Sequence, residues 1–145
     1  MLRVLIIEDS EIQKQVLLRW LPDDLEVDFV QTLGEAAERL DRCDYVILDL
    51  CLPDSTPERT LDWVAACDKP VLVVSGIDEE ETIRQAARSG ARGFLSKGNA
   101  GDQIRCAITF AMERDAVNEE CKQTRLAACT TVVDRLKSRF SGVIS

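Results

Sequence analysis

Three short apolar runs restrict this chain to few folds. Leu2-Arg3-Val4-Leu5-Ile6-Ile7, Tyr45-Val46-Ile47-Leu48 and Val71-Leu72-Val73-Val74 are too brief for helices and rich in β-branched residues. Nearly continuous runs of this kind are expected of strands covered on both faces, as in a parallel sheet. Weaker strand patterns occupy Leu25 to Val30 and Arg92 to Ser96, and helix-like stretches lie near Glu11 to Leu21, Pro57 to Ala66 and from Ala100 onward. Two more helices are marked by start signals. Thr32 and Asp78 are each followed three residues later by a glutamate, Glu35 and Glu81, a pairing that can satisfy free backbone N–H groups reciprocally.

Five strand-helix repeats predict an α/β fold: a five-stranded parallel sheet, doubly wound, because each crossover must return over the sheet and is almost always right-handed. In such open sheets ligands bind at the carboxyl ends of the strands, where the strand order reverses. Glu8 and Asp9, Asp49, Ser75 and Lys97 all fall at that edge. Each is fit for phosphoryl chemistry, and their recurrence at one place in the local pattern points to a shared site.

Composition bounds the reading. At 145 residues and 46% hydrophobic content the chain is the size of one ordinary globular domain. No apolar run approaches the roughly 20 residues that span a bilayer, and the first residues enter a strand instead of a signal peptide, so a cytoplasmic location is expected and membrane insertion is not. The six cysteines (Cys43, Cys51, Cys67, Cys106, Cys121 and Cys129) show no CxxC spacing, and there is no histidine. Within this chain that excludes cysteine-histidine and serine-triad catalysis, zinc held by histidine and histidine-ligated haem. The thiols read as small buried or half-buried groups in a reducing compartment. Net charge is −8, and the 25 residues from Cys121 onward hold five basic and one acidic side chain, so the acidity lies in the body. Such a body repels nucleic acid and attracts cations, and no direct nucleic-acid binding is expected.

Four motifs now stand in order. Ile6-Ile7-Glu8-Asp9-Ser10, Val46-Ile47-Leu48-Asp49-Leu50-Cys51-Leu52-Pro53-Asp54, Val73-Val74-Ser75-Gly76 and Phe94-Leu95-Ser96-Lys97 resemble the receiver domain of two-component response regulators over about residues 2 to 115. The resemblance implies a flavodoxin-like, CheY-like (βα)5 fold. It implies Asp49 as phosphoacceptor, Ser75 as switch hydroxyl and Phe94 as switch aromatic. Lys97 would pair with the phosphate, and Glu8, Asp9, Asp49 and the backbone carbonyl of Cys51 would hold Mg²⁺.

Elementary chemistry supports those roles. Three converging carboxylates repel and need a cation or protons. A hard, oxygen-seeking Mg²⁺ suits them, and with Lys97 it brings the local charge to zero. An aspartyl phosphate offers strong acceptor oxygens to Lys97 and to the Ser75 hydroxyl. Gly76, without a side chain, is expected to leave the phosphoryl pocket open and its own N–H accessible. Plainer roles are available: Asp9 as a helix cap, Asp49 with Lys97 as a salt bridge, Ser75 as a turn residue, Phe94 as core. Ser10 already offers the cap, and the residues gain weight as a set.

The chain departs from the family pattern at the residue after the lysine, usually a proline behind a cis bond. Here Gly98 follows Lys97. A cis bond before a non-proline residue costs about 2.5–4 kcal/mol, so either a trans bond with a rearranged loop or a strained cis bond is expected. Phe94 lacks a tyrosine hydroxyl, and the Cys51 thiol stands two residues from the acceptor, where it could slow or redirect water attack on the phosphoryl group.

Residues 1–118 are assigned to the receiver domain and 119–145 to a helical C-terminal extension whose apolar stripe includes Leu126, Cys129, Val133, Leu136 and Phe140. Such a stripe packs on the domain, on a copy of itself or on another protein, and a homodimer is the leading form. The resulting reading is a receiver that accepts phosphate on Asp49 from a sensor histidine kinase or histidine phosphotransfer protein. It then alters contacts with a downstream protein through the face of its fourth helix, fifth strand and fifth helix. It is not an enzyme in its own right, though it assists its own phosphorylation and dephosphorylation. The alternative is a phosphorylation-independent interaction or dimerisation module. A Mg²⁺-dependent phosphohydrolase with an aspartate nucleophile usually wants a second acidic residue two positions on, where this chain has Cys51.

Overall fold

The computed structural model describes residues 2–77, 79–98, 103 and 105–113. Its elements alternate as expected: β1 (Leu2–Ile7), α1 (Glu11–Trp20), β2 (Leu25–Val30), α2 (Leu33–Ala37), a 3-10 turn (Leu40–Arg42), β3 (Tyr45–Leu48), α3 (Pro57–Ala66), β4 (Val71–Ser75), α4 (Glu80–Arg88) and β5 (Gly93–Ser96). Residues 105–113 continue as a helix, α5. The five strands form one sheet in the order β2-β1-β3-β4-β5, with every neighbouring pair parallel. The order reverses between β1 and β3, so a crevice opens there at the carboxyl edge.

Burial follows the pleat. On one face Leu5, Ile7, Val30, Val46, Leu48, Val71 and Val73 form a core cluster with Ala36, Leu61, Val64 and Ala86 from α2, α3 and α4. Alternation puts Val4, Ile6, Ile47, Leu72 and Val74 on the other face. All five are buried, as are Leu17 of α1 and Ile108 of α5.

Local chemistry sets the helix ends. Ser10, Thr32 and Thr56 are N-caps whose side chains accept from Gln13, Glu35 and Arg59 backbone N–H groups. The expected reciprocal bond at Thr32 takes another form, because the Glu35 carboxylate accepts from the Thr32 hydroxyl instead of the backbone N–H. At α4 the N-cap is Glu79, which makes no side-chain cap bond, and the expected Asp78 cap lies outside the described residues. That helix stops at Gly90, with φ +90, where the Gly90 amide donates to Ala87 O and the Ala91 amide to Ala86 O. This is a Schellman ending, which a left-handed glycine permits at little cost. Gly93 opens β5, and a Cβ there would meet Leu72 Cδ1 at 2.9 Å.

Two compact units divide the chain, Met1–Ala111 and Met112–Ser145. The expected boundary at 118 and the helical extension 119–145 lie outside the described residues.

Candidate functional site

Glu8, Asp49 and Lys97 are each carried to the carboxyl edge by an extension of the sheet ladder. The Glu8 amide donates to Val30 O at 3.0 Å, the Asp49 amide to Ile7 O at 3.0 Å and the Lys97 amide to Ser75 O at 2.9 Å. Positions 8, 49 and 97, widely separated in the chain, are therefore held at one edge of the sheet, after β1, β3 and β5. The side chains converge: Lys97 Nζ lies 3.0 Å from Asp49 Oδ2 and 3.0 Å from Glu8 Oε2. Glu8 is only 2% exposed and Asp49 3%. Asp9 is exposed, and one oxygen from each of Glu8, Asp9 and Asp49 falls within 4.8 Å of the others.

The remaining carboxylate oxygens are held by backbone. Glu8 Oε1 accepts from the Ser10 amide at 3.1 Å, and Asp49 Oδ1 accepts from the Cys51 amide at 3.1 Å. Cys51 was expected to supply its carbonyl to a metal. Its N–H is the group seen to orient Asp49.

Burial is the largest influence on Glu8 and pushes its carboxyl above the ordinary glutamate value; the Ser10 N–H opposes this and the nearby Asp49 charge adds to it. For Lys97, burial pulls downward, but hydrogen bonds to Asp49 and Glu8 outweigh it and leave the ammonium above the ordinary lysine value. Burial, then the Asp49 charge, pushes the exposed-edge thiol of Cys51 upward, so it stays protonated at neutral pH and is a poor nucleophile.

The donor set suits Mg²⁺. Carboxylate oxygens are its preferred ligands, and an octahedral ion spaces its ligands about 3–4 Å apart, which oxygens lying within 4.8 Å of one another can meet.

Ser75 is fully buried, and its hydroxyl accepts from the Ile77 amide at 3.0 Å instead of pointing a bond at Asp49. Phe94 pairs with Val73 across β4 and β5, two residues before Ser75, and packs against the core cluster. Strand alternation therefore puts Phe94 and Ser75 on one face. At Gly76 a Cβ would meet nothing within 4 Å and φ is not in the left-handed region, so its openness does not require glycine. No peptide bond is cis among the described residues, which makes Lys97–Gly98 trans; the Gly98 amide turns back to Ser96 Oγ at 3.3 Å.

Sequence reasoning passed over one side chain near the site. Asp54 Oδ1 accepts from the Leu33 amide and Oδ2 from the Gly34 amide, both at 3.3 Å, tying the loop after Asp49 to α2. An aspartate behind a proline signals a turn, but a partner some 20 residues upstream leaves no local trace.

A sequence profile described as the response regulator receiver domain matches residues 4–109. The transcriptional regulatory protein KdpE of Staphylococcus aureus is 31% identical over 114 residues, covering 73% of this chain and 48% of that protein. The DNA-binding transcriptional activator DevR/DosR of Mycobacterium tuberculosis is 28% identical over 115 residues, covering 74% and 53%. The chain thus spans about half the length of these relatives. Among solved structures, the signal receiver domain of a putative Luxo repressor protein from Vibrio parahaemolyticus superposes with TM-score 0.72 at 23% identity, covering 82% of this chain and 95% of that one. NtrX from Brucella abortus gives TM-score 0.72 at 23% identity, covering 86% and 29%. These superpositions support the parallel, doubly wound fold. With the family profile spanning most of the described body and the strand order in agreement, the chain belongs to the response regulator receiver domain family.

Proposed function

We propose that this chain takes a phosphoryl group onto Asp49 from a sensor histidine kinase or a histidine phosphotransfer protein, with Mg²⁺ held by Glu8, Asp9, Asp49 and the Cys51 carbonyl. The observation that carries the reading is the position of Lys97 Nζ, 3.0 Å from each of two buried carboxylates. A buried acidic pair with one shared ammonium retains an excess negative charge, and an exposed acid, Asp9, stands at its open side.

An ionised Asp49 oxygen attacks phosphorus. The new O–P bond forms as the donor's P–N bond breaks, and the electron pair leaves with the donor nitrogen. Mg²⁺, when bound, supplies charge neutralisation for the phosphoryl oxygens. The Cys51 amide keeps Asp49 oriented through Oδ1. Lys97 already touches the other Asp49 oxygen and is placed to follow the transferred group's charge. The protonated Cys51 thiol leaves the oxygen nucleophile without a competitor.

The switch follows from Ser75 and Phe94. The Ser75 hydroxyl, which accepts from the Ile77 amide, has its own O–H to donate and moves toward Asp49 to reach a phosphoryl oxygen, with the Gly76 N–H as a further donor. Phe94, half-buried on the same face, moves into the volume that Ser75 leaves. The outward result is a changed α4-β5-α5 face, where Ala86 is the buried residue of α4 and Ile83 is 39% exposed. Output passes through a downstream protein, and the C-terminal extension favours a homodimer. The setting is the cytoplasm; among the described residues no helix is long and apolar enough to cross a membrane.

The test is intact mass after incubation with Mg²⁺ and a small-molecule phosphodonor, beside Asp49→Asn. A gain of one phosphate in the wild type alone is expected. No gain, under conditions that modify another receiver, favours a phosphorylation-independent interaction module.

A further inference from the structure

We propose that Asp54 is a positioning residue for the acceptor: its carboxylate clamps the loop after Asp49 to the start of α2 and so keeps the Cys51 backbone aligned with the site. The inference rests on the reading of Asp49 as phosphoacceptor and adds a residue outside the acidic cluster.

α2 has five residues, too few to sustain a helix unaided, and its first amides need partners from outside. Thr32 serves the Glu35 amide at 3.1 Å. The Leu33 and Gly34 amides turn to Asp54, one to each carboxylate oxygen, at 3.3 Å. A carboxylate at this end is also favoured by the exposed N–H dipoles.

The other end of the clamp is short and stiff. Only Leu52 and Pro53 separate Cys51 from Asp54. Leu52 is buried in the core, Pro53 has a fixed φ, and the Ser55 amide closes a turn on Leu52 O at 3.3 Å. Movement at Asp54 therefore passes to Cys51, whose N–H holds Asp49 Oδ1 at 3.1 Å. The clamp reaches the site through three peptide bonds and one hydrogen bond. A mere cap for α2 would have no reason to influence Asp49.

The test compares Asp54→Asn and Asp54→Ala with the wild type in the full chain. Three quantities are read: Mg²⁺ affinity by calorimetry, hydrogen exchange of the Cys51 amide without metal, and phosphoryl uptake at limiting and saturating Mg²⁺. For Asp54→Ala a rise of about fivefold in the Mg²⁺ Kd is expected, the size of losing one helix-capping side chain, with Cys51 exchange faster by a similar factor. Asp54→Asn, which keeps one acceptor oxygen, falls between. Uptake slows at limiting Mg²⁺ and recovers at saturation. A lower melting temperature with wild-type Mg²⁺ affinity and wild-type Cys51 exchange would overturn the proposal and leave Asp54 as a cap for α2. If the alanine variant does not fold, the asparagine variant decides by the same measures. Normal phosphoryl uptake by the wild type with unchanged variants sinks this inference alone, whereas a wild type that takes neither Mg²⁺ nor phosphate sinks it together with the proposed function.

Discussion

Two groups of ion pairs occupy different parts of the sheet, and their distances rank them in the wrong order. On the β1-β2 side, Arg3 Nε meets Glu26 Oε2 at 2.8 Å and Arg39 Nη1 meets Asp28 Oδ1 at 2.6 Å, with all four side chains about half exposed. They rim a cleft of about 290 Å³ that Arg42 of the 3-10 turn also lines. At the carboxyl edge, Lys97 meets Glu8 and Asp49 at the longer distance of 3.0 Å, but the two acids are almost wholly buried. Water screens the first group and makes each pair worth little. In the second group burial magnifies both the attraction and the desolvation penalty, so removing one partner leaves a charge with nowhere to go. Burial, more than contact length, separates a surface ornament on an edge strand from a site under electrostatic tension.

The largest effect should come from Lys97→Met, which leaves two buried carboxylates without their ammonium. In metal-free solution it is expected to lower unfolding free energy by about 3 kcal/mol. Denaturant titration checks this, and a loss well under 1 kcal/mol would erase the contrast between the two groups. Next, Mg²⁺ should stabilise the wild type by linkage, by about 2.7 kcal/mol at roughly 100 times its Kd. An unchanged melting temperature at millimolar Mg²⁺ would speak against the cation site.

Glu8→Gln should act in the opposite direction, raising the metal-free melting temperature at neutral pH while diminishing the Mg²⁺ response. The sign follows from the raised carboxyl. With a folded value above the ordinary 4.5, its stabilising contribution is complete at pH below 4.5 and is lost as pH climbs through the folded value. Melting temperatures across that range should therefore fall with pH more in the wild type than in the variant. A variant that melts lower at neutral pH would show that the Lys97 and Ser10 contacts outweigh burial. The smallest effect is reserved for Arg3 and Glu26: a double-mutant cycle should give a coupling under about 1 kcal/mol, and it should fade as salt is raised. A larger, salt-resistant coupling would place both groups in one class.

Much of the fold was legible because its signals are local. β2 and α3 have the bounds expected from their apolar patterns, Leu25–Val30 and Pro57–Ala66. β5 starts at Gly93, one residue later than expected, although the Arg92 amide already donates to Val71 O at 2.8 Å. The Asp78 start signal does not specify the N-cap of α4, where Glu79 stands instead. At the site, the convergence of Glu8, Asp9, Asp49 and Lys97 was legible from strand-end position and family motif together. The Ser75 hydroxyl on the Ile77 amide, the Cys51 amide on Asp49 and the Asp54 clamp were not, since each depends on loop geometry that residue type alone leaves open.

By itself the sequence determined the alternation of strands and helices, the acids and lysine at strand ends, and the glycine after Lys97 that departs from the family. These follow from side-chain periodicity and residue identity, which act over a few neighbours. Only the tertiary structure decided which carboxylate oxygen Lys97 touches, that Lys97–Gly98 is trans, that Phe94 shares a face with Ser75, and that Asp54 belongs to α2 as much as to its own loop. Register, burial and hydrogen-bond choice emerge when distant segments compete for the same space and the same donors, and that competition has no local sequence signature.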